Sequence, residues 1–173
     1  VKFSEGNENA ELIVHAPEIM DRELVNICSE DKQTVTNSID IIQRSIDKTL
    51  EISKRWQRTK PRMVVHLGGM SLNKLPQSHP HKEILSNHDR MIEIATVNFS
   101  KLDFDNNYIS IIAENLPPRP WYLGGEWYQY GFGPSSDMVK FCNSTKTKMT
   151  LDICHAYLWC NLNHQSLTDY IKE

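Results

Sequence analysis

Four short apolar runs, each closed by a residue that can hold a proton or a cation, constrain this chain of 173 residues more than anything else in it. They are Leu12-Ile13-Val14 before His15, Met63-Val64-Val65 before His66, Ile109 to Ala113 before Glu114, and Met149 to Leu151 before Asp152, with His155 just beyond. Runs of this kind read as strands covered on both faces, and the expected spans are 11–15, 62–69, 106–115 (turn plus strand) and 148–152. The segments between them carry a helical period. Over 34–57, Val35, Ile39, Ile42, Ile46 and Leu50 recur at steps of three or four, followed by the Ile52/Trp56 region; Thr36, Asn37 or Ser38 can cap the start, and Pro61 marks the exit. A second helix is expected over 81–101, with Ile84, His88, Met91, Ile92, Ala95 and Phe99 on one side. A short third helix covers 135–146, with Met138, Val139, Phe141 and Cys142 inside, and a further one starts in 164–173. The order β-α-β-α-β-α-β-α predicts a single α/β domain with a parallel sheet and right-handed crossovers.

Parallel α/β folds gather their ligands and catalytic groups at the carboxyl ends of the strands. Adjacent strands lie about 4.8 Å apart, so side chains from neighbouring ends can converge. His15, His66, Glu114, Asp152 and His155 are the candidates. Taken singly, each has a plain structural reading. His15 and His66 fit core-edge histidines, and Asp152 with His155 fits a local hydrogen-bonded cap. Glu114 is harder to explain that way, because a carboxylate closing an apolar strand is costly unless paired or metal-bound. Five such groups at four strand ends point to a metal site with the donor types that Zn²⁺ or Mn²⁺ prefer. His79, His81 and His88 read as surface or supporting groups, and His164 as a capping or exposed residue.

The long loop over 114–133 carries Trp121, Tyr122, Trp127, Tyr128, Tyr130 and Phe132. Long loops in compact domains are usually functional or disordered, and this one is too aromatic for disorder. Its rings suit either a sugar-stacking lid or packing on the adjacent helices. Arg119 suits a phosphate or a carboxylate, and Gly124 with Gly125 allows a hinge.

Formal net charge is −3, and the densest basic stretch, 53–62, ends a predicted helix, where cations suit the dipole. This weighs against nucleic acid as a partner. Cys28, Cys142, Cys154 and Cys160 form no CxxC pair and read as reduced thiols of a cytoplasmic protein. No apolar run approaches the roughly 20 residues that span a bilayer.

"LIVHAPE", "VVHLGG", "IIAEN" and "LDICHA", in this order and spacing, resemble successive strand ends of the xylose-isomerase-like TIM barrels. That superfamily holds sugar and sugar-phosphate isomerases and epimerases and the endonuclease IV type of apurinic-site nuclease. The resemblance covers nearly the whole chain. It implies a fold of (β/α)8 TIM-barrel type with only about four central βα units present, so that 1–173 is one partial barrel domain holding the third to sixth units. The partners then implied are a homo-oligomer or the remaining half of the barrel, because an open four-stranded sheet leaves two edges that favour association. Glu114 resembles the metal carboxylate of both branches, which bridges two ions in the nucleases. Asp152 resembles its partner ligand. His155 resembles the histidine of an Asp-x-x-His motif, a zinc ligand in nucleases and a substrate contact in epimerases. His15 and His66 resemble the two histidines of the first nuclease zinc, positions that line the substrate pocket in many isomerases. After Glu114-Asn115, "LPPRPWYLGG" departs from the Gly-containing nuclease turn and looks more like isomerase/epimerase-like proteins.

The expected function is a divalent-metal-dependent (Mn, Zn, Co or Mg) isomerase or epimerase of a sugar or sugar phosphate, working by carboxylate-mediated proton transfer. Glu114 and His155 would be catalytic; Arg119, Trp121, Trp127 and Asn115 would contact substrate. The alternatives are a zinc phosphodiesterase on abasic DNA and a non-catalytic barrel fragment.

Overall fold

The computed structural model describes residues 11–21, 23–54, 60–72, 88–122, 125–129 and 131–173. In chain order, its first half holds β1 (Ile13–His15), β2 (Ile19–Met20), β3 (Glu23–Leu24), α1 (Lys32–Ser53), β4 (Arg62–Val65), β5 (Met70–Leu72) and α2 (His88–Phe99). The second half holds β6 (Ser110–Glu114), β7 (Trp121–Tyr122), β8 (Gly125–Gln129), α3 (Ser135–Thr145), β9 (Lys148–Thr150), α4 (Ile153–Leu162) and α5 (Leu167–Lys172). The expected α/β architecture is present as a four-stranded sheet, ordered β1-β4-β6-β9 and parallel throughout. Each strand therefore pairs with the next one of the sheet in sequence.

Strand period separates the two faces of this sheet. Met63, Val65, Ile111 and Ala113 join Ile42 and Ile46 of α1, Met91, Ala95 and Phe99 of α2, and Met138 and Phe141 of α3 in one core. Val64 and Ile112, the residues of opposite parity, lie outside that cluster. The same parity, continued, carries His15, His66 and Glu114, so the candidate residues sit on the face turned away from the helical core. Phe141 is the hub between helices: its ring stands edge-on to Phe99 and Phe132, at centroid distances of 5.4 and 5.6 Å.

Several expectations are corrected. α1 starts at Lys32 because Asp31, not Thr36, Asn37 or Ser38, is the cap; its side chain accepts from Thr34 N at 2.7 Å. Strand β4 stops at Val65, and the chain then turns through Gly68 and Gly69, both at positive φ. Only glycine suits Gly68, where a Cβ would lie 2.5 Å from the Asn26 Cα. Asn26 Oδ1 accepts from Gly69 N and Cys28 N, both at 3.1 Å, and fixes the segment that follows His66. Residues 114–133 are not one long loop, since Glu114 closes β6 and β8 lies between β5 and β7 in a small antiparallel sheet. A whole helix, α4, falls where only a connection was expected, and α5 begins at Leu167 after Ser166 as cap.

Burial also departs from the expected pattern. Ile13, Val139, Met149 and Leu151 are exposed. β1 and β9 are the two edges of the sheet, so their side chains have neighbours on one flank only. Met149, Leu151, Ile153, Tyr157, Leu158 and Leu162 make the β9–α4 side apolar and open. All four cysteines are free thiols, and among the described residues no helix is long and apolar enough to cross a membrane. The expected helix residues 81–87, residues 55–59 with Trp56 among them, His79, His81, Gly124 and Tyr130 lie outside the described residues.

Candidate metal centre

Glu114 ends β6, which is flanked by β4 on one side and β9 on the other. Its carboxylate therefore meets side chains from both neighbours, and it is only 7% exposed. Oε2 lies 3.2 Å from His15 Nε2 and 3.1 Å from His66 Nε2. Oε1 lies 3.8 Å from His155 Nδ1. Two sets of potential ligand atoms result, His15/His66/Glu114 and Glu114/Asp152/His155, with atoms within 4.8 Å of one another in each. The five candidates expected from the sequence come together, and Glu114 belongs to both sets.

The other ring nitrogens show what these histidines offer. His15 Nδ1 is 2.7 Å from the Ala16 carbonyl, and His155 Nδ1 is 2.9 Å from the Asn115 carbonyl. A carbonyl only accepts, so each Nδ1 donates and each neutral ring keeps its lone pair on Nε2. In neutral His15 that lone pair would face an oxygen of Glu114 at 3.2 Å. Such a contact calls for a positive charge, either a proton on the ring or a cation shared between the two groups. Two imidazole nitrogens and a carboxylate oxygen are a donor set that zinc and manganese accept. The residues present fit a divalent cation.

Burial acts to raise the Glu114 pKa, but the hydrogen bond and charge of His66, and then of His15, outweigh it and hold the carboxyl below its ordinary range. The sign follows from linkage. Without a bound cation, this depressed carboxylate contributes stability above its unfolded pKa and loses it as the pH falls through the folded value.

Asp152 and His155 have a dual character. Asp152 is the N-cap of α4, and its Oδ1 accepts from His155 N at 2.9 Å. The plain reading of this pair as a cap is correct, and it coexists with the ligand geometry because Oδ2 remains 3.8 Å from His155 Nε2. Asn115, expected to contact substrate, is fully buried and engages the backbone of Asp152 at both ends of its amide: Nδ2 donates to Asp152 O at 3.0 Å, and Oδ1 accepts from Asp152 N at 2.7 Å. It ties β6 to the α4 cap. Asn115→Ala is expected to cost about 1–2 kcal/mol, because it strands the half-buried N–H and carbonyl of Asp152. Cation binding should weaken at Asp152/His155 more than at His15/His66. Urea unfolding alongside zinc titration checks this; equal losses at both sets would contradict it.

The expected substrate contacts are more scattered. Arg119 is exposed, with its guanidinium 5.6 Å from the centre of the Tyr128 ring. Among the described residues it makes no hydrogen bond or ion pair with either ligand set. Trp127 is half-buried, and its backbone N–H donates to the Pro120 carbonyl at 2.9 Å. Trp121 stands in β7, and its side chain lies outside the described residues. His88, expected as a surface or supporting group, pairs through Nδ1 with the buried carboxylate of Asp137 at 2.9 Å.

Glu18 escaped the sequence reading. Its carboxylate reaches both histidines of the first set, with Oε2 3.6 Å from His66 Nδ1 and Oε1 3.9 Å from His15 Nε2. Its position three residues after a strand-end histidine was the available signal. No family model, no curated protein and no solved structure matches the chain.

Proposed function

We propose that the chain forms consecutive units of a (β/α)8 barrel of the xylose-isomerase-like type, and that it is a divalent-metal-dependent isomerase or epimerase acting on a sugar or sugar phosphate. One observation carries the reading: a buried strand-end carboxylate, Glu114, stands between two histidine-containing ligand sets. Three features support the barrel. The strands pair in sequence order, helices pack on one face, and the candidate residues share the other.

Within the site, His15, His66, Glu114, Asp152 and His155 would hold the cation. When bound there, a divalent cation polarises a carbonyl and its neighbouring hydroxyl. His15 and His66 engage Oε2 of Glu114 and leave Oε1 turned towards His155. Oε1 is then the atom that takes a proton from the carbon beside the substrate carbonyl and returns it to the product. His155 orients the substrate oxygen. Arg119, Trp121 and Trp127 would bind the far end of the sugar. The free thiols fit a reducing, cytoplasmic setting.

A second reading, phosphodiester hydrolysis, draws on the separate outlook of the two Glu114 oxygens, which suits a carboxylate bridging two cations. The net charge of −3 weighs against a DNA substrate. The two readings part in one assay. A panel of aldose and ketose phosphates is incubated with the protein and Mn²⁺ or Co²⁺ in D₂O, and carbon-bound deuterium is read by NMR. Incorporation beside the carbonyl is expected. No incorporation, with cleavage of bis(4-nitrophenyl) phosphate or an abasic duplex, would replace the first reading by the second. Neither activity in a metal-loaded protein would leave a non-catalytic barrel fragment.

A further inference from the structure

The three histidines of the centre are not held alike. His15 and His155 each anchor Nδ1 on a backbone carbonyl, at 2.7 and 2.9 Å. His66 is the most enclosed, 5% exposed, yet among the described residues its buried Nδ1 has no hydrogen-bond partner. Oε2 of Glu18 lies 3.6 Å from it, just beyond hydrogen-bond range. We propose that Glu18 is the positioning residue of His66: it accepts the Nδ1 proton, fixes the ring with Nε2 towards Glu114, and so sets the cation affinity of the His15/His66/Glu114 set. This inference rests on the metal reading given under the proposed function.

The surroundings of Glu18 suit the role. Ala16 N donates to the Val64 carbonyl at 2.8 Å, Pro17 restricts the next backbone step, and the Glu18 carbonyl accepts from Val25 N at 2.9 Å. The carboxylate thus projects from a backbone pinned before and after it, at the start of the β2–β3 hairpin. On the other side, Ile27 N donates to the Leu67 carbonyl at 3.2 Å and fixes the chain just after His66. Both backbones are held, so a side-chain adjustment of a few tenths of an ångström closes the gap. A histidine that gives Nε2 to a cation must carry its proton on Nδ1, and a buried Nδ1–H requires an acceptor. Glu18 is the acceptor within reach. A carboxylate behind a ligating histidine also raises the basicity of the ring, which strengthens the bond to the cation.

The test uses the 173-residue chain with ¹⁵N-labelled histidine, as wild type, Glu18→Ala and Glu18→Gln, titrated with Zn²⁺ against a competing chelator. Loss of such a partner typically weakens metal binding by about 10- to 100-fold. Glu18→Ala is expected to fall in that range, and Glu18→Gln, which keeps a neutral acceptor, to lie between it and the wild type. The His66 Nδ1–H resonance of the zinc-loaded wild type should shift in Glu18→Ala, while that of His155, whose ring faces Glu114 and Asp152, stays in place. A merely structural loss of the centre would move the His155 ring as well. Zinc affinity within twofold of wild type in Glu18→Ala, with an unmoved His66 resonance, would overturn the role of Glu18 and leave the metal reading intact. A wild type that binds no zinc would overturn the metal reading itself, and the inference with it.

Discussion

Glu114→Gln is expected to weaken cation binding at both ligand sets at once, by more than about 100-fold at each. The magnitude is scaled from partners behind a ligand, whose loss typically costs roughly 10- to 100-fold; removing a ligand itself should cost more. The double effect is specific to this residue, because Oε2 faces His15 and His66 while Oε1 faces His155. Glutamine keeps the shape but removes the charge, and its amide NH₂ cannot ligate. The metal-free protein changes too. The Glu114 carboxylate is held ionised by the two histidines despite its burial, and in the variant those rings lose their anionic partner. Isothermal titration with Zn²⁺ and Mn²⁺ checks the result. Loss at one set with the other unchanged would show that Glu114 is not shared.

Phe141→Ala is expected to be the most destabilising of the substitutions considered, at about 3–5 kcal/mol, the range for emptying a fully buried aromatic site. Phe141 has no exposed surface and meets Phe99 from α2 and Phe132 from the segment after β8. Aromatic edge contacts of this kind add about 0.5–1.5 kcal/mol beyond area burial. The neighbours come from separate elements and cannot all move inward together, so the cavity should collapse poorly. Urea unfolding followed by circular dichroism gives the difference directly. A loss below about 1 kcal/mol would mean that the helices repack freely and that Phe141 is no hub.

Much of this arrangement was legible in the chain because strand period and strand ends are local signals. The runs before His15, His66, Glu114 and Asp152 lead into or form the four strands of the parallel sheet, in the expected order. The stripe of Val35, Ile42 and Ile46 buries one side of α1 as expected. The hidden parts have physical causes. α4 lacks a one-sided stripe: Ile153, Tyr157, Leu158 and Leu162 are exposed while Ala156 and Cys160 are buried, so no amphipathic pattern announces it. β5 pairs with β8 across more than fifty residues, Leu72 with Trp127 and Met70 with Gln129, and no local pattern carries such pairing. Asn115 looked like a pocket residue because it follows Glu114, but its partner is the backbone of Asp152, thirty-seven positions away. Glu18 was passed over because a glutamate after Pro17 reads as an ordinary turn residue; its bearing on His66 exists only once β1 and β4 are paired.

The central claim is that these strand ends hold a cation. Elemental analysis of the wild-type chain, purified without chelator, tests it most directly. At least one divalent metal per chain is expected, one for a site centred on Glu114 and Asp152 and two where Glu114 bridges both sets. A folded protein that carries no metal, and takes up none when Zn²⁺, Mn²⁺, Co²⁺ or Mg²⁺ is added, would contradict it. His15, His66, Glu114, Asp152 and His155 would then be a proton-sharing cluster that joins the strand ends, and the function proposed for the chain would fall.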